Sequence, residues 1–366
     1  MKKETTETNN IQKEITCNNC GAKLIFEPGT DNLKCEFCGA VNKIETDETE
    51  KAEAVKELDY ENFVNNNNSE KIKITTIKCD TCGAETTFDS DIITSICDFC
   101  GSPLISENTH TSEIISPKAL LPFKITKKQA LELYQKKIQK LWFAPSKLKT
   151  KTGNTAKLSG VYIPFWTFDT HTHINYRGKR GDDYIEKTIS DDGETISSRR
   201  TRWTNVSGNI NMYFNDIIVP ASKSLPTDLI YDLDPWNLKE LVPYNTKYLS
   251  GFKTETYQIN LKKGFDTAKI KIEPDIRFKI RQDIGGDRQQ IDFVNTEYSN
   301  TKFKHILMPV WISSYKYNDK IYRFIINAQT GKVKTERPWS KIKIIIAVAA
   351  IISITGALIY FLQNIN

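Results

Sequence analysis

CNNCG (17–21) and CEFCG (35–39) are answered 62 residues later by CDTCG (79–83) and CDFCG (97–101), and these four knuckles hold all eight cysteines of the chain. Fourteen residues separate Cys20 from Cys35, and fourteen separate Cys82 from Cys97. The correspondence extends past sulfur: Gly21 and Ala22 match Gly83 and Ala84, Phe26 matches Phe88, and Phe37 matches Phe99. A tetrahedral zinc ion takes four thiolates, and each knuckle supplies two from one tight turn. The pattern therefore predicts two structural zinc sites, Cys17, Cys20, Cys35 and Cys38 in one and Cys79, Cys82, Cys97 and Cys100 in the other. Glycine after the second cysteine suits such a turn because it takes positive φ and lets backbone N–H groups approach the sulfurs. Iron in a rubredoxin-like site fits the same ligands nearly as well.

Other uses of the cysteines fit less well. Disulfides need an oxidising compartment, and the N-terminal MKKETTETNNIQKE holds no apolar stretch of the kind a secretory leader carries. A redox pair needs one CxxC in a βαβ setting rather than four knuckles at ribbon spacing. A segment this short buries too little apolar surface to fold alone, so metal binding is expected to supply the folding free energy, about 10–16 kcal/mol in small zinc peptides.

The chain has 366 residues and a net charge of +6, but the charge is unevenly placed. Residues 1–110 carry 11 Lys and Arg against 21 Asp and Glu, a net of −10, which leaves +16 for the remainder. Each four-thiolate zinc site adds about −2. A phosphate-binding surface needs local positive charge, so the cysteine half has the wrong sign for nucleic acid.

At the other end, IIIAVAAIISITGALIYFL (344–362) is 19 residues without a charge, about 28 Å long as a helix. Lys332, Lys334, Arg337, Lys341 and Lys343 precede it, with Trp339 at the level of a membrane interface. The positive-inside rule then predicts a single-pass C-terminal anchor with the N-terminal domains cytoplasmic. The basic collar is expected to meet anionic lipid. Ala349, Ser353 and Ala357 form a strip of small residues through which two copies of the chain would approach as a homodimer.

Composition divides the chain into a zinc ribbon at 15–43, an acidic and polar linker at 44–73, a second ribbon at 74–106, an α+β domain at 114–340 and the transmembrane helix at 344–362. The linker holds a short helix around 52–63 and the run NNNNSEK from Asn65, and it looks too polar to couple the folding of the two ribbons. LLPFKI (120–125) reads as a strand. Thr126 and Gln129 form a capping box before a helix with Ala130, Tyr134, Ile138 and Leu141 on one face. VYIPFWTFDT, THINYR, DYIEKTI and RRTRWTNVSGNINMYF read as separate strands joined at Gly and Asp turns. Residues 268–284 read two ways: as a strand through Ile270, Ile272, Ile276, Phe278 and Ile280, or as a helical row from Ile276 to Ile284. A β-meander from His305, with turns at Asn318-Asp319 and 329–331, completes an α+β class with a mainly antiparallel sheet.

LLPFKI, LSGVYIPFWTFD, DPWNLKELVPYNTKYLSGF, KHILMPVWISSYKY and TGKVKTERPWSKIK together resemble a bacterial family of membrane-bound twin-zinc-ribbon proteins, the YdjG-like group, whose ribbons are often labelled as TFIIB-type or replication-restart-helicase-like. The likeness runs from Cys17 to about Lys343. Thr335 and Ala328 stand where that family has glycines, which touches turn geometry only. The resemblance implies a membrane-tethered adaptor with flotillin-type scaffold proteins as partners.

No catalytic pattern stands out. GxSxG, HExxH and GxxxxGK[ST] do not occur, and every thiol is committed to a knuckle. His171 and His173 share one face of a strand and offer two metal ligands, yet read better as half-exposed strand residues. His305 reads as the start of a strand, and Gly285-Gly286-Asp287 as a turn. Asp169, Asp182, Asp183, Asp191 and Asp192 read as turn acids rather than a cation site. Tyr162, Phe165, Trp166 and Phe168 read as core. The expected function is that of a cytoplasm-facing adaptor that recruits protein partners to the membrane, not an enzyme. A membrane-tethered nucleic-acid-binding protein is the alternative.

Overall fold

The computed structural model describes residues 15–45, 47, 49, 52, 56–65, 71–87, 95–145, 158–189, 191–192, 194–318 and 320–364. Phe88, Asp319, part of the 52–63 segment and most of the asparagine run lie outside them.

In the first cysteine module, β1 (Leu24–Phe26), β2 (Asn32–Cys35) and β3 (Val41–Lys43) pair in that order as an antiparallel sheet. β4 (Leu58–Asp59) and the short helix α1 (Tyr60–Asn65) follow. In the second module β5 (Lys71–Lys78) pairs with β6 (Glu85–Thr87), and β7 (Ser95–Ile96) pairs with β8 (Pro103–Leu104). β9 (Thr109–Ile115) closes on the other edge of β5.

The rest is built on one large mixed sheet. β10 (Ala119–Leu120) leads into α2 (Lys127–Gln139), which opens with the capping box expected from the sequence: Thr126 accepts from the Gln129 amide and Gln129 reaches back to the Thr126 amide. β11 (Ser159–Ile189) and β12 (Thr195–Pro220) form an antiparallel hairpin of 31 and 26 residues. Then come α3 (Thr227–Tyr231), β13 (Val242–Pro243) and β14 (Lys253–Thr254), followed by α4 (Leu261–Ile284). β15 (Arg288–Tyr317), β16 (Lys320–Asn327), β17 (Val333–Thr335) and the apolar helix α5 (Lys341–Asn364) complete the chain. β12, β11, β15, β10 and β13 lie side by side in that order, and all these contacts are antiparallel except β10 with β15. The α+β class with a mainly antiparallel sheet and one apolar C-terminal helix is the observed architecture.

Two local readings change. The three segments between 161 and 189 are one strand, roughly 100 Å long at about 3.3 Å per residue. Gly178 and Gly181 do not turn the chain. A Cβ on Gly178 would lie 2.3 Å from the Gln290 carbonyl oxygen, and one on Gly181 2.8 Å from Thr201, so both serve close cross-strand approach. Residues 268–284 are helical. Leu261, Phe265, Ala268, Ile272, Ile276, Ile280 and Ile284 form the buried stripe of α4, while Ile270 and Phe278, which suggested alternation, face solvent.

Successive β11 residues point to opposite faces, and both faces are covered near its start. On one, Tyr162 shares an apolar cluster with Phe123, Phe252 and Trp311, together with Leu24, Phe26 and Leu33 of the first module and Tyr134 of α2. On the other, Val161, Ile163 and Phe165 share a cluster with Cys79, Cys97 and Phe99 of the second module. Further along, α4 covers Trp166, Phe168, Ile174 and Tyr176. The cysteine modules are therefore layers of the core rather than beads on a string. The acidic segment also enters the fold: Ile44 and Tyr60 are buried, and β4 pairs with β15 at Leu58 and Phe303.

Candidate metal centres and polar clusters

The four knuckles share one backbone pattern. Gly21, Gly39, Gly83 and Gly101 donate to the carbonyls of Cys17, Cys35, Cys79 and Cys97 at 2.8–3.0 Å. All four glycines have φ between 73° and 77°, the left-handed region in which a side chain is strained. The turn brings each cysteine pair to one point. The sulfurs of Cys17, Cys20, Cys35 and Cys38 lie within 4.8 Å of one another, as do those of Cys79, Cys82, Cys97 and Cys100.

Cross-knuckle sulfur pairs stand 3.5–3.6 Å apart, Cys20 with Cys35 and Cys79 with Cys100 among them, and all eight cysteines are free thiols. A tetrahedron of ~2.3 Å zinc–sulfur bonds puts its sulfurs about 3.8 Å apart, so both clusters are compatible with structural zinc. The electrostatics agree. Amide N–H groups of Cys38 and then Phe37 hold the Cys35 thiol down at about 6 against the effect of burial. In the second cluster the neighbouring Cys82 sulfur, with burial, pushes Cys97 well above the usual thiol value. Four thiolates this close repel, and a dication at their centre reverses that repulsion.

The modules are fastened differently. In the first, Phe26 N–H donates to Ser250 O (3.0 Å), Ser250 Oγ donates to Leu24 O (2.5 Å), and the Phe26 ring lies 5.1 Å from Tyr248. In the second, Thr256 N–H donates to Glu85 O (3.0 Å), Gln258 Nε2 donates to Gly83 O (3.0 Å), and Arg323 Nε donates to Phe99 O (3.0 Å).

Under the second module lies Glu255, 1% exposed, accepting from Ser222 Oγ at 2.9 Å and from Ser224 Oγ. Burial pushes its carboxyl up to about 8, so the folded chain holds a proton there that the unfolded chain, at about 4.3, releases. Stability from this group is full below the unfolded value and falls as pH rises towards 8. Glu255→Gln, a mimic of the protonated acid, is expected to flatten the stability profile between about pH 5 and pH 8. Urea midpoints across that range measure it, and an unchanged slope would place the titrating group elsewhere.

The expected site residues outside the knuckles are dispersed. His171 and His173 lie exposed on β11, the first 4.6 Å from the Tyr213 ring and the second donating from Nδ1 to Asn211 Oδ1 at 2.7 Å. Neither belongs to a group of three ligand-bearing side chains among the described residues. His305 is buried in β15, donates from Nδ1 to Ile115 O at 2.8 Å, and is lowered to about 4 by burial, hence neutral. Gly285 and Gly286 close α4 with φ of 66° and 71°, and Asp287 accepts from the Asp183 amide at 2.8 Å. Asp183 pairs with Arg199 at 2.9 Å and Arg288 at 3.2 Å, and Asp182 with Arg180 at 3.0 Å. Asp191 and Asp192 are exposed turn residues.

Asp169 is not a turn acid. It occupies a bulge where β11 shifts register against both β12 and β15, and it accepts from the Asp216 amide at 2.8 Å and the Tyr213 hydroxyl at 3.2 Å. Carboxylate oxygens of Glu57, Asp169 and Asp216 lie within 4.8 Å of one another. Buried Lys304 sits among them, 2.9 Å from Glu57 and 3.4 Å from Asp216. That ammonium already serves as the cation of the group, so it reads as a buried ion network that ties the acidic segment to the sheet.

No family model matches the chain. The chain is 28% identical over 331 residues to a Bacillus subtilis (strain 168) protein named Uncharacterized protein YdjG, an alignment covering 90% of this chain and 91% of the relative. A likeness running through nearly the whole of both chains supports the YdjG-like relationship that the motifs around the sheet suggested.

Proposed function

We infer that the chain is a membrane-anchored adaptor whose two zinc-folded modules are held on a rigid sheet, one of them presenting a docking knuckle to a cytoplasmic protein partner. The observation that carries this reading is a contrast between counterparts. Phe99 is 0% exposed and packed in the core, whereas Phe37, at the same place in the first module, is 83% exposed.

The docked knuckle also indicates the chemistry of the missing partner. Phe99 fills an apolar socket, its carbonyl accepts from Arg323 Nε at 3.0 Å, and neighbouring Asp98 pairs with Lys253 at 2.7 Å. Glu36 and Phe37 stand at the positions of Asp98 and Phe99. A partner suited to them has an apolar pocket flanked by a lysine or arginine for Glu36 and an N–H donor for the Phe37 carbonyl. Membrane scaffold proteins of the flotillin type are the candidates that the family resemblance suggests.

The nucleic-acid alternative has less support. Along the β11–β12 arm Arg199 pairs with Asp183, Arg200 with Glu186 and Arg180 with Asp182, and Arg177 and Arg202 stack on the Phe293 and Tyr184 rings, which lowers the positive potential available for phosphate.

Phe37→Ala tests the adaptor reading. Its effect on stability is expected to stay within about 0.5 kcal/mol, as for a surface change, while Phe99→Ala is expected to cost about 3–5 kcal/mol. Affinity purification from solubilised membranes, quantified by mass spectrometry, should show Phe37→Ala losing a protein that the wild type retains. Full retention of every co-purifying protein by Phe37→Ala would sink the reading.

A further inference from the structure

The structure ties a second segment to the start of α5, and that segment carries an exposed indole. After α2 the chain turns through 141–144, with Trp142 N–H donating to Lys140 O (3.0 Å) and Ala144 N–H to Leu141 O (3.2 Å). This turn is fastened to the first residues of the apolar helix across two hundred positions of sequence. Ser340 N–H donates to Phe143 O at 2.8 Å. Lys343 Nζ donates to Trp142 O at 3.2 Å and to Ala144 O at 2.8 Å. The Phe143 ring lies 6.1 Å from Trp339, and the Arg337 guanidinium stacks 4.3 Å from the Trp339 ring.

The outcome is a platform at one end of the molecule. Trp142 and Trp339 are 72% and 57% exposed. Lys136 and Lys140 at the end of α2 and Lys341 at the start of α5 are exposed as well. Indole has a large apolar body and one N–H donor, so it gains most where hydrocarbon meets water, and lysines at the same level meet acidic headgroups. Because Lys343 and Ser340 hold the turn by its backbone, the turn must sit at whatever depth the first turn of α5 takes.

We propose that the Trp142–Phe143 turn is a second membrane contact, seated in the headgroup layer of an anionic bilayer beside the anchor and fixing the tilt of the sheet above it. The proposal rests on the reading of α5 as a membrane anchor. A single transmembrane helix leaves a domain free to swing about its linker; a second contact clipped to the first by three hydrogen bonds does not. Such a clamp would hold Phe37 at a set height above the membrane, which suits a docking device.

The test uses the full chain, metal-loaded, in nanodiscs of phosphatidylcholine with phosphatidylserine whose acyl chains are brominated close to the headgroup. Emission from single tryptophans is obtained by difference, from wild type against Trp142→Phe, Trp339→Phe and Trp203→Phe. These conservative changes preserve the fold, and retained zinc content checks that they do. The Trp142 and Trp339 components are expected to lose most of their intensity to bromine, with the Trp203 component on the β11–β12 arm unchanged. In phosphatidylcholine alone the quenching of Trp142 is expected to fall. Quenching of Trp339 without quenching of Trp142, or a Trp142 component shielded from water yet untouched by brominated lipid, would overturn the second contact while leaving the anchor in place. Failure of the chain to enter nanodiscs, with neither tryptophan quenched, would overturn the anchor reading itself.

Discussion

Cys97→Ser is expected to reduce the metal content of the purified full-length chain from about two zinc equivalents to about one, on the basis of four thiolates per site, and to lower its stability sharply. Cys97 is 3% exposed and shares its apolar cluster with Val161, Ile163 and Met308 of the central sheet. Loss of the site therefore strips one face of the sheet as well as unfolding a small module. Apparent zinc affinities in small peptides correspond to about 10–16 kcal/mol, so even partial loss of that coupling is comparable with the 5–15 kcal/mol that typically holds a domain together. Cys35→Ser is expected to act likewise on the opposite face, where Phe26 packs on Tyr248. The polar linker suggested that one module would survive loss of the other. Both modules pack on the same strands, so loss of one is expected to lower the stability of the whole chain while the other site keeps its metal. Elemental analysis with urea unfolding followed by near-ultraviolet circular dichroism checks both statements. One equivalent in the wild type, iron in place of zinc, or a Cys97→Ser chain as stable as the parent would refute the assignment.

What could be read in the sequence was what is local. The knuckles need only spacing and a glycine, and the capping box at Thr126 needs only four residues, so both were legible. The α4 segment was ambiguous because its isoleucines satisfy a period of two and a period of four over the same stretch. Only contact with Trp166 and Phe168 decides which face is buried. The length of β11 was hidden by Gly178 and Gly181, since a glycine that admits a neighbouring strand looks the same in one dimension as one that turns the chain. Asp169 was misread for a related reason. Its neighbours Glu57, Asp216 and Lys304 come from three distant parts of the chain, and nothing near Asp169 in sequence signals them. The difference between Phe37 and Phe99 was equally invisible, because knuckles that differ only by Glu36 against Asp98 acquire opposite exposures only when one is seated on the sheet.

Deleting 344–366 is expected to move the protein from the membrane to the soluble fraction almost completely. α5 is a helix of 24 residues, none of them buried, and it meets the length and polarity needed to cross a bilayer. The Ser353 and Thr355 hydroxyls are satisfied within the helix, Ser353 Oγ donating to Ala349 O at 2.9 Å and Thr355 Oγ1 to Ile351 O at 2.9 Å, as a span in hydrocarbon requires. The same bond engages the only polar atom of the Ala349, Ser353 and Ala357 strip, so dimerisation there would rest on close packing of small side chains. Lys341, Lys343 and Arg337 lie on the domain side of the span, which sets the expected orientation. A membrane-impermeant maleimide applied to intact cells should label Asn366→Cys and leave Asn68→Cys unlabelled until the cells are opened. Labelling of Asn68→Cys from outside would invert the topology, and it would also place eight thiols built for metal on the oxidising side of the membrane. A truncated chain that stays in washed membranes would locate the attachment elsewhere, and the Trp142 turn, already clipped to the start of the span, is the first place to look.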